Sequence, residues 1–160
     1  MKKLIKVLLL ISTLCTLSIA DDLNINKVLK QAHKENKQVM FFFHIPRCPY
    51  CESMLDENFK DEDVLKEIEN NFILIDIYSV DKGTVSYHDF KGDRKEFAKY
   101  LGARVVPATI FMDISGKITH KAIGYRNIDE YLVDLKYVGT KSYNSIGLEE
   151  FAEELELSEE

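Results

Sequence analysis

The stretch Val39-Met40-Phe41-Phe42-Phe43 constrains this chain more than any other, because it offers no polar face to water. A strand of that composition is stable only with both faces covered, which is the setting of a sheet with helices on either side. Phe72-Ile73-Leu74-Ile75-Asp76-Ile77 reads as a second buried strand, and Ala108-Thr109-Ile110-Phe111-Met112 as a third. Helical spacing accounts for what lies between them. Val28, Leu29 and Ala32 mark a helix between Ile25 and Asn36, and another begins around Cys48 and runs through Met54 and Leu55. Val64, Leu65 and Ile68 continue or restart that second helix.

The rest of the chain completes the pattern. Ser79 to Asp93 is polar, contains Gly83 and Gly92, and reads as a loop. Arg94 to Leu101 predicts a helix that stops at Gly102. Asp113-Ile114-Ser115-Gly116 predicts a turn, with Lys117 to Ile123 folding back as a hairpin partner. Asn127 or Asp129 caps a helix carrying Ile128, Tyr131, Leu132 and Leu135, and a last short helix from about Leu148 to Leu157 gathers Leu148, Phe151, Ala152 and Leu155 on one face. The predicted fold class is α/β: one domain with a mixed central sheet flanked by helices.

The first twenty residues belong to a different kind of segment. Lys2, Lys3 and Lys6 precede a mostly apolar run from Leu4 to Leu17, and Ser18-Ile19-Ala20 closes it with small residues at alternate positions. That is the layout of a secretory signal cleaved after Ala20. The apolar run is short of the roughly 20 residues a membrane-spanning helix needs, which leaves an uncleaved anchor as the alternative. Cys15 lacks the small residue expected directly before a lipidated cysteine. The expected domains are thus a signal peptide at 1–20, a folded domain at 21–138, and a C-terminal helical extension with an acidic tail at 139–160.

Charge narrows the partners. The full chain carries 21 basic and 27 acidic side chains, a net of −6. Loss of three lysines with the signal leaves 18 against 27, a net of −9. Such a surface recruits neither nucleic acid nor anionic lipid. Much of the excess sits between Glu149 and Glu160, a solvated helix face with a frayed end.

Cys48-Pro49-Tyr50-Cys51 lies where a buried strand gives way to a helix. Pro49 suits a first helical turn. The spacing lets two sulfurs meet, and the unpaired amides and positive dipole end of the helix stabilise an anion there. The Cys48 thiolate is therefore favoured over the free-thiol reference of about 8.5. Arg47 adds to that stabilisation, whereas Cys51, one turn inward, is more buried and less acidic. Cys48 is thus the expected nucleophile on a substrate disulfide and Cys51 the resolving thiol. Other uses of the pair compete. A disulfide across so short a loop restricts the unfolded chain little and is a poor staple. A zinc site needs two further ligands, and His33, His44, His88 and His120 are scattered, so no metal is expected.

With these residues in view, the chain resembles the thioredoxin superfamily over most of Leu23 to Ile128. Cys48-Pro49-Tyr50-Cys51 matches its active-site motif, and Tyr100-Leu101-Gly102-Ala103-Arg104-Val105-Val106-Pro107-Ala108-Thr109 is similar to its helix end and cis-proline stretch. Ser115-Gly116-Lys117 and Gly124 match its hairpin turn and following glycine. The resemblance implies that Pro107 is cis and faces the sulfurs, and that the backbone of Val106 pairs with substrate. Tyr50 and Pro49 shape the docking surface. The overall layout is similar to the exported, SoxW-like thioredoxins, which have a lengthened loop before the third helix and a C-terminal helical extension.

Departures from the family pattern are specific. The residue before Cys48 is Arg47, the dipeptide is Pro-Tyr, and Phe41, Phe42 and Phe43 leave no buried acid on the preceding strand. His44 stands four residues before Cys48, where thioredoxins often have Trp, and an imidazolium there would stabilise the thiolate. Tyr125, Tyr131, Tyr137 and Tyr143 read as packing residues. The resemblance implies a periplasmic protein thiol–disulfide oxidoreductase that needs no cofactor. It would act as a reductant on protein substrates carrying disulfides or thiols, with a membrane electron donor or acceptor as recycling partner. The alternatives are a disulfide donor to exported proteins, a non-catalytic binding module, and a metallochaperone using both cysteines and His44.

Overall fold

The structure is a computed structural model that describes residues 22–159, so the signal-like segment 1–20 and Cys15 lie outside the described residues. A short β1 (Leu23–Asn24) leads into α1 (Ile25–Glu35), β2 (Gln38–His44) and α2 (Pro49–Asp56). After a 3₁₀ turn at Asn58–Lys60 come α3 (Glu62–Asn71), β3 (Phe72–Tyr78), β4 (Val85–Tyr87), β5 (Phe90–Gly92) and α4 (Arg94–Leu101). The chain finishes with β6 (Ala108–Met112), β7 (Ile118–Ile123), α5 (Ile128–Gly139), a 3₁₀ turn and α6 (Leu148–Glu159).

Four strands form the central sheet in the order β3-β2-β6-β7. β2 runs parallel to β3 and antiparallel to β6, and β7 returns as the hairpin partner of β6. The apolar run in β2 serves two cores by simple alternation. Val39, Phe41 and Phe43 face α1 and α4, where they meet Ile25, Leu29, Phe97 and Leu101. Met40 and Phe42 face the other way, among Met54, Val64, Ile68, Tyr131 and Leu135 of α2, α3 and α5. The mixed sheet with helices on both faces is therefore as expected.

Local chemistry sets the helix ends. Asp93 and Glu96 form a capping box on α4, and Asn127 and Glu130 form one on α5, each side chain accepting from the other's backbone N–H. α4 stops at Gly102, whose φ of 93° lies in the left-handed region that glycine enters freely. The second predicted helix restarts rather than continues: Asp61 caps α3 by accepting from Asp63 and Val64 N–H.

The segment 79–93 corrects the expectation of a loop. It carries the β4–β5 hairpin, which joins β1 in a second sheet of order β1-β4-β5. Val85 and Tyr87 are buried in the core beside Phe97, while Ser86 between them is half-buried. Strands of three residues and a partner 62 positions away leave no periodicity for a sequence reading to find.

The C-terminal extension is stitched to the domain. Leu148 and Phe151 pack on the second core, with the Phe151 ring 5.4 Å from that of Tyr137. Tyr137 Oη donates to the Ile146 carbonyl at 2.9 Å, and Tyr143 Oη donates to Gln38 Oε1 at 3.2 Å. Glu149, Glu150, Glu153, Glu154 and Glu156 face solvent, and α6 stays helical to Glu159 instead of fraying.

Tyr131 is fully buried and shares a 2.9 Å hydrogen bond with Thr109 Oγ1. Burial pushes its phenol well above the ordinary tyrosine value, with Asp134 adding to the rise and Thr109 opposing it. The folded state thus holds this proton more tightly than the unfolded chain, so its contribution is present below about pH 10 and is lost as pH rises further. Tyr131→Phe leaves the Thr109 hydroxyl unpaired and is expected to lower stability by about 1–2 kcal/mol at neutral pH. In denaturant titrations run at neutral and alkaline pH, it should also weaken the alkaline loss of stability.

Candidate active site

The turn that leaves β2 determines where the cysteines sit. Ile45-Pro46-Arg47 reverses the chain, and Arg47 takes a φ of 56°, a left-handed conformation that costs a non-glycine residue about 1–2 kcal/mol. Cys48 follows with extended backbone as the N-cap of α2, and Pro49 occupies the first helical turn. The Cys48 carbonyl accepts from the Cys51 and Glu52 N–H groups at 3.0 Å each. Its sulfur accepts from the Cys51 N–H at 3.3 Å, in the place where a Ser or Asp oxygen would cap a helix. The two sulfurs are joined in a disulfide, with the Cα atoms 5.2 Å apart.

The two cysteines are unequal. Cys48 keeps 9% of its surface and Cys51 1%, so an incoming group has access to Cys48 alone. The register Phe43↔Ala108 brings the start of β6 beside the end of β2. Pro107, just before β6, is therefore at the same edge as the cysteine turn, with a cis bond to Val106. The Pro107 carbonyl accepts from Gly124 N–H at 2.8 Å, which ties this edge to the end of β7. Pro107 is buried, Val106 half-buried and Val105 exposed.

Tyr50 is 66% exposed, and its ring lies 5.9 Å from that of Tyr125. Several contacts hold Tyr125 in place. Its hydroxyl donates to Glu57 Oε2 at 3.1 Å, which, with burial, raises its phenol above the ordinary value. Asn58, fully buried, donates through Nδ2 to the carbonyls of Arg126 and Asn127 at 3.1 and 3.2 Å. Arg126 in turn is anchored on the buried Asp134, which also meets His120. No spacing rule in the sequence links Tyr50 with Tyr125.

His44 ends β2 and stacks on Phe42 and Tyr78, with ring centroids 5.4 and 4.8 Å away. Its Nε2 lies 2.7 Å from Asp76 Oδ1 but out of line for a hydrogen bond. Asp76, the single acid in the second apolar run, reaches His44 because Phe42 pairs with it across β2 and β3. Arg47 is exposed and has no ion-pair partner among the described residues. Among the described residues no group of three or more His, Cys, Asp or Glu side chains is placed to hold a metal ion. None of the described helices is long and apolar enough to cross a membrane.

Residues 25–139 match the family model described as a Thioredoxin-like domain. No curated protein matches the chain. A thioredoxin-fold protein from Helicobacter pylori superposes with a TM-score of 0.63 at 17% identity, over 73% of this chain and 83% of that one. A thioredoxin from Thermus thermophilus does so with 0.57 at 23% identity, over 72% and 84%. The C-terminal domain of DsbD from Neisseria meningitidis, in its oxidised form, gives 0.51 at 16% identity, over 72% and 92%. At these identities the likeness is one of fold.

The unequal exposure sets an expectation for the reduced protein. A sub-stoichiometric pulse of iodoacetamide followed by peptide mapping should place nearly all label on Cys48. Equal labelling of both thiols would contradict the asymmetry.

Proposed function

The chain belongs to the thioredoxin-like domain family, and we propose that within it the chain is an exported protein thiol–disulfide oxidoreductase. It acts as a reductant of protein disulfides in the periplasm, in the manner of the SoxW-like group. The observation that carries this reading is the Cys48 sulfur at the N-cap of α2, receiving the Cys51 amide, with the second sulfur one turn away and shielded. That amide and the helix dipole favour a thiolate on Cys48 once the pair is reduced.

The chemistry balances without a cofactor. The Cys48 thiolate attacks one sulfur of a substrate disulfide, and that bond breaks, releasing one substrate thiolate that takes a proton. A mixed disulfide now joins Cys48 to the substrate. Cys51 gives up its proton and attacks the Cys48 sulfur, which releases the second substrate thiol and closes the Cys48–Cys51 disulfide. Two electrons have moved from the dithiol to the substrate. Regeneration needs an external dithiol, here a membrane-bound donor.

Several features support this reading. The DsbD domain similar in fold has been solved in both oxidised and reduced forms, which is the cycle proposed for Cys48 and Cys51. Val106 and Pro107 lie at the same sheet edge as the pair, and the Val106 backbone is assigned here to pairing with an extended substrate. The signal-like residues 1–20 support export, 21–138 the catalytic domain, and 139–160 an extension that closes one core. His44 and Arg47 are proposed to favour the thiolate, with Asp76 holding the His44 ring.

Two measurements test the reading. Cys51→Ser should accumulate mixed disulfides through Cys48 under oxidising conditions, visible as adducts that dithiothreitol releases, whereas a passive binding module would form none. Equilibration of the pair against dithiothreitol or glutathione buffers should give a potential near the thioredoxin figure of about −270 mV. A value near about −120 mV would make the protein a disulfide donor instead.

A further inference from the structure

We propose that a cleft beside the cysteine pair selects substrate segments that carry an acidic side chain next to an apolar one, close to the target cysteine. This inference rests on the oxidoreductase reading and names the substrate class for it.

The cleft measures about 700 Å³ and lies between the turn after β2, the end of β3 and α4. Its apolar walls come from Ile45, Pro46, Val80 and Val106. Two of these adjoin the site directly: Pro46 is two residues before Cys48, and Val106 is bonded to the cis Pro107. Val80 is 57% exposed and Ile45 40%, which is apolar surface held open to water around a concave site.

Lys95, Lys99 and Arg104 provide its charge, and no carboxylate lines it. None of these three cations has an ion-pair partner among the described residues. The chain as a whole is acidic, with a net charge of −6. A second cleft, of about 740 Å³ between α5 and α6, follows that average, with Asp63, Asp129, Glu130, Glu149 and Glu156 in its lining. The cleft beside the cysteines reverses the sign.

A concentration of unpaired positive charge on an otherwise negative molecule both attracts acidic segments and repels basic ones. The apolar walls favour a side chain such as Leu over a fully polar segment. An extended segment running along Val106 would enter this cleft on its way past Cys48, so charge in the substrate is read close to its disulfide.

The test is a competition between two peptides, each with one cysteine joined to 2-mercaptoethanol as a mixed disulfide. One carries Leu and two Glu beside the cysteine, the other Leu and two Lys. Each rate with the reduced full chain is divided by the same peptide's rate with dithiothreitol, which removes intrinsic reactivity. The acidic peptide should be preferred about tenfold at low ionic strength, and the preference should shrink as salt rises past about 0.5 M. In the Lys99→Glu, Arg104→Glu double variant the ratio should fall below one. A ratio is insensitive to how much of the variant is folded.

A ratio near one in the unmodified chain, with both peptides reduced, overturns the inference and leaves the oxidoreductase reading standing. So does a ratio that the double variant leaves unchanged, because the selectivity would then lie elsewhere. If neither peptide nor neutral 2-hydroxyethyl disulfide is reduced, the oxidoreductase reading fails and this inference with it. Salt-sensitive dimers held by the acidic α6 of a second copy in the cleft, detected by sedimentation, would assign the cleft to self-association and overturn the proposal.

Discussion

β2 is occupied on all four sides, and the rest of the molecule is arranged around that fact. Its edges are paired with β3 and β6, and its two faces feed the two cores. A strand so enclosed has no freedom to slip, since a one-residue shift would exchange Phe41 and Phe43 with Met40 and Phe42 between cores of different shape. The position where it ends is therefore well defined, and the cysteine turn begins there. In open α/β sheets the carboxyl ends of the strands are where loops converge on a ligand. Here the same edge also receives the start of β6, with its cis-proline.

What the scaffold supplies at that edge is an oriented amide. The Cys48 sulfur takes the place of a capping oxygen, and the Cys51 N–H pointing at it is set by helix geometry rather than by a mobile side chain. Arg47 supports this arrangement through its backbone, since the left-handed turn residue re-aims the chain so that Cys48 lands on the helix end. A feature of this kind costs local stability and persists because the surrounding strand and helix over-determine it.

The other flank is built from polar contacts that run from the surface at Glu57 to the buried Asn58 and Asp134. Asn58 and Glu57, just past α2, hold the loop that follows β7, and Asp134 fixes Arg126 within it. Tyr125 is thereby presented to Tyr50 on a rigid mount. Charge is distributed with the same locality. The acidic face of α6 dominates the net charge, yet the cleft beside the cysteines is cationic, so the average describes neither region.

The fold class, the order of the main elements and the cysteine pair were legible in the sequence because each rests on short-range regularities. A run of apolar residues, a helical repeat, Gly102 after a helix and the Cys-Pro-Tyr-Cys spacing all declare themselves within a dozen residues. The pairing of β1 with the β4–β5 hairpin, the His44–Asp76 contact, the Tyr50–Tyr125 pair and the cationic cleft did not. Each joins residues that only strand register or loop packing brings together, across separations from 32 to 75 positions. Sequence by itself determined which residues have the chemistry to exchange a disulfide. Its place one turn into a helix also marked Cys51 as the more buried of the two, whereas tertiary structure decided what surface surrounds the pair, because charge neighbourhood is a property of packing, not of composition.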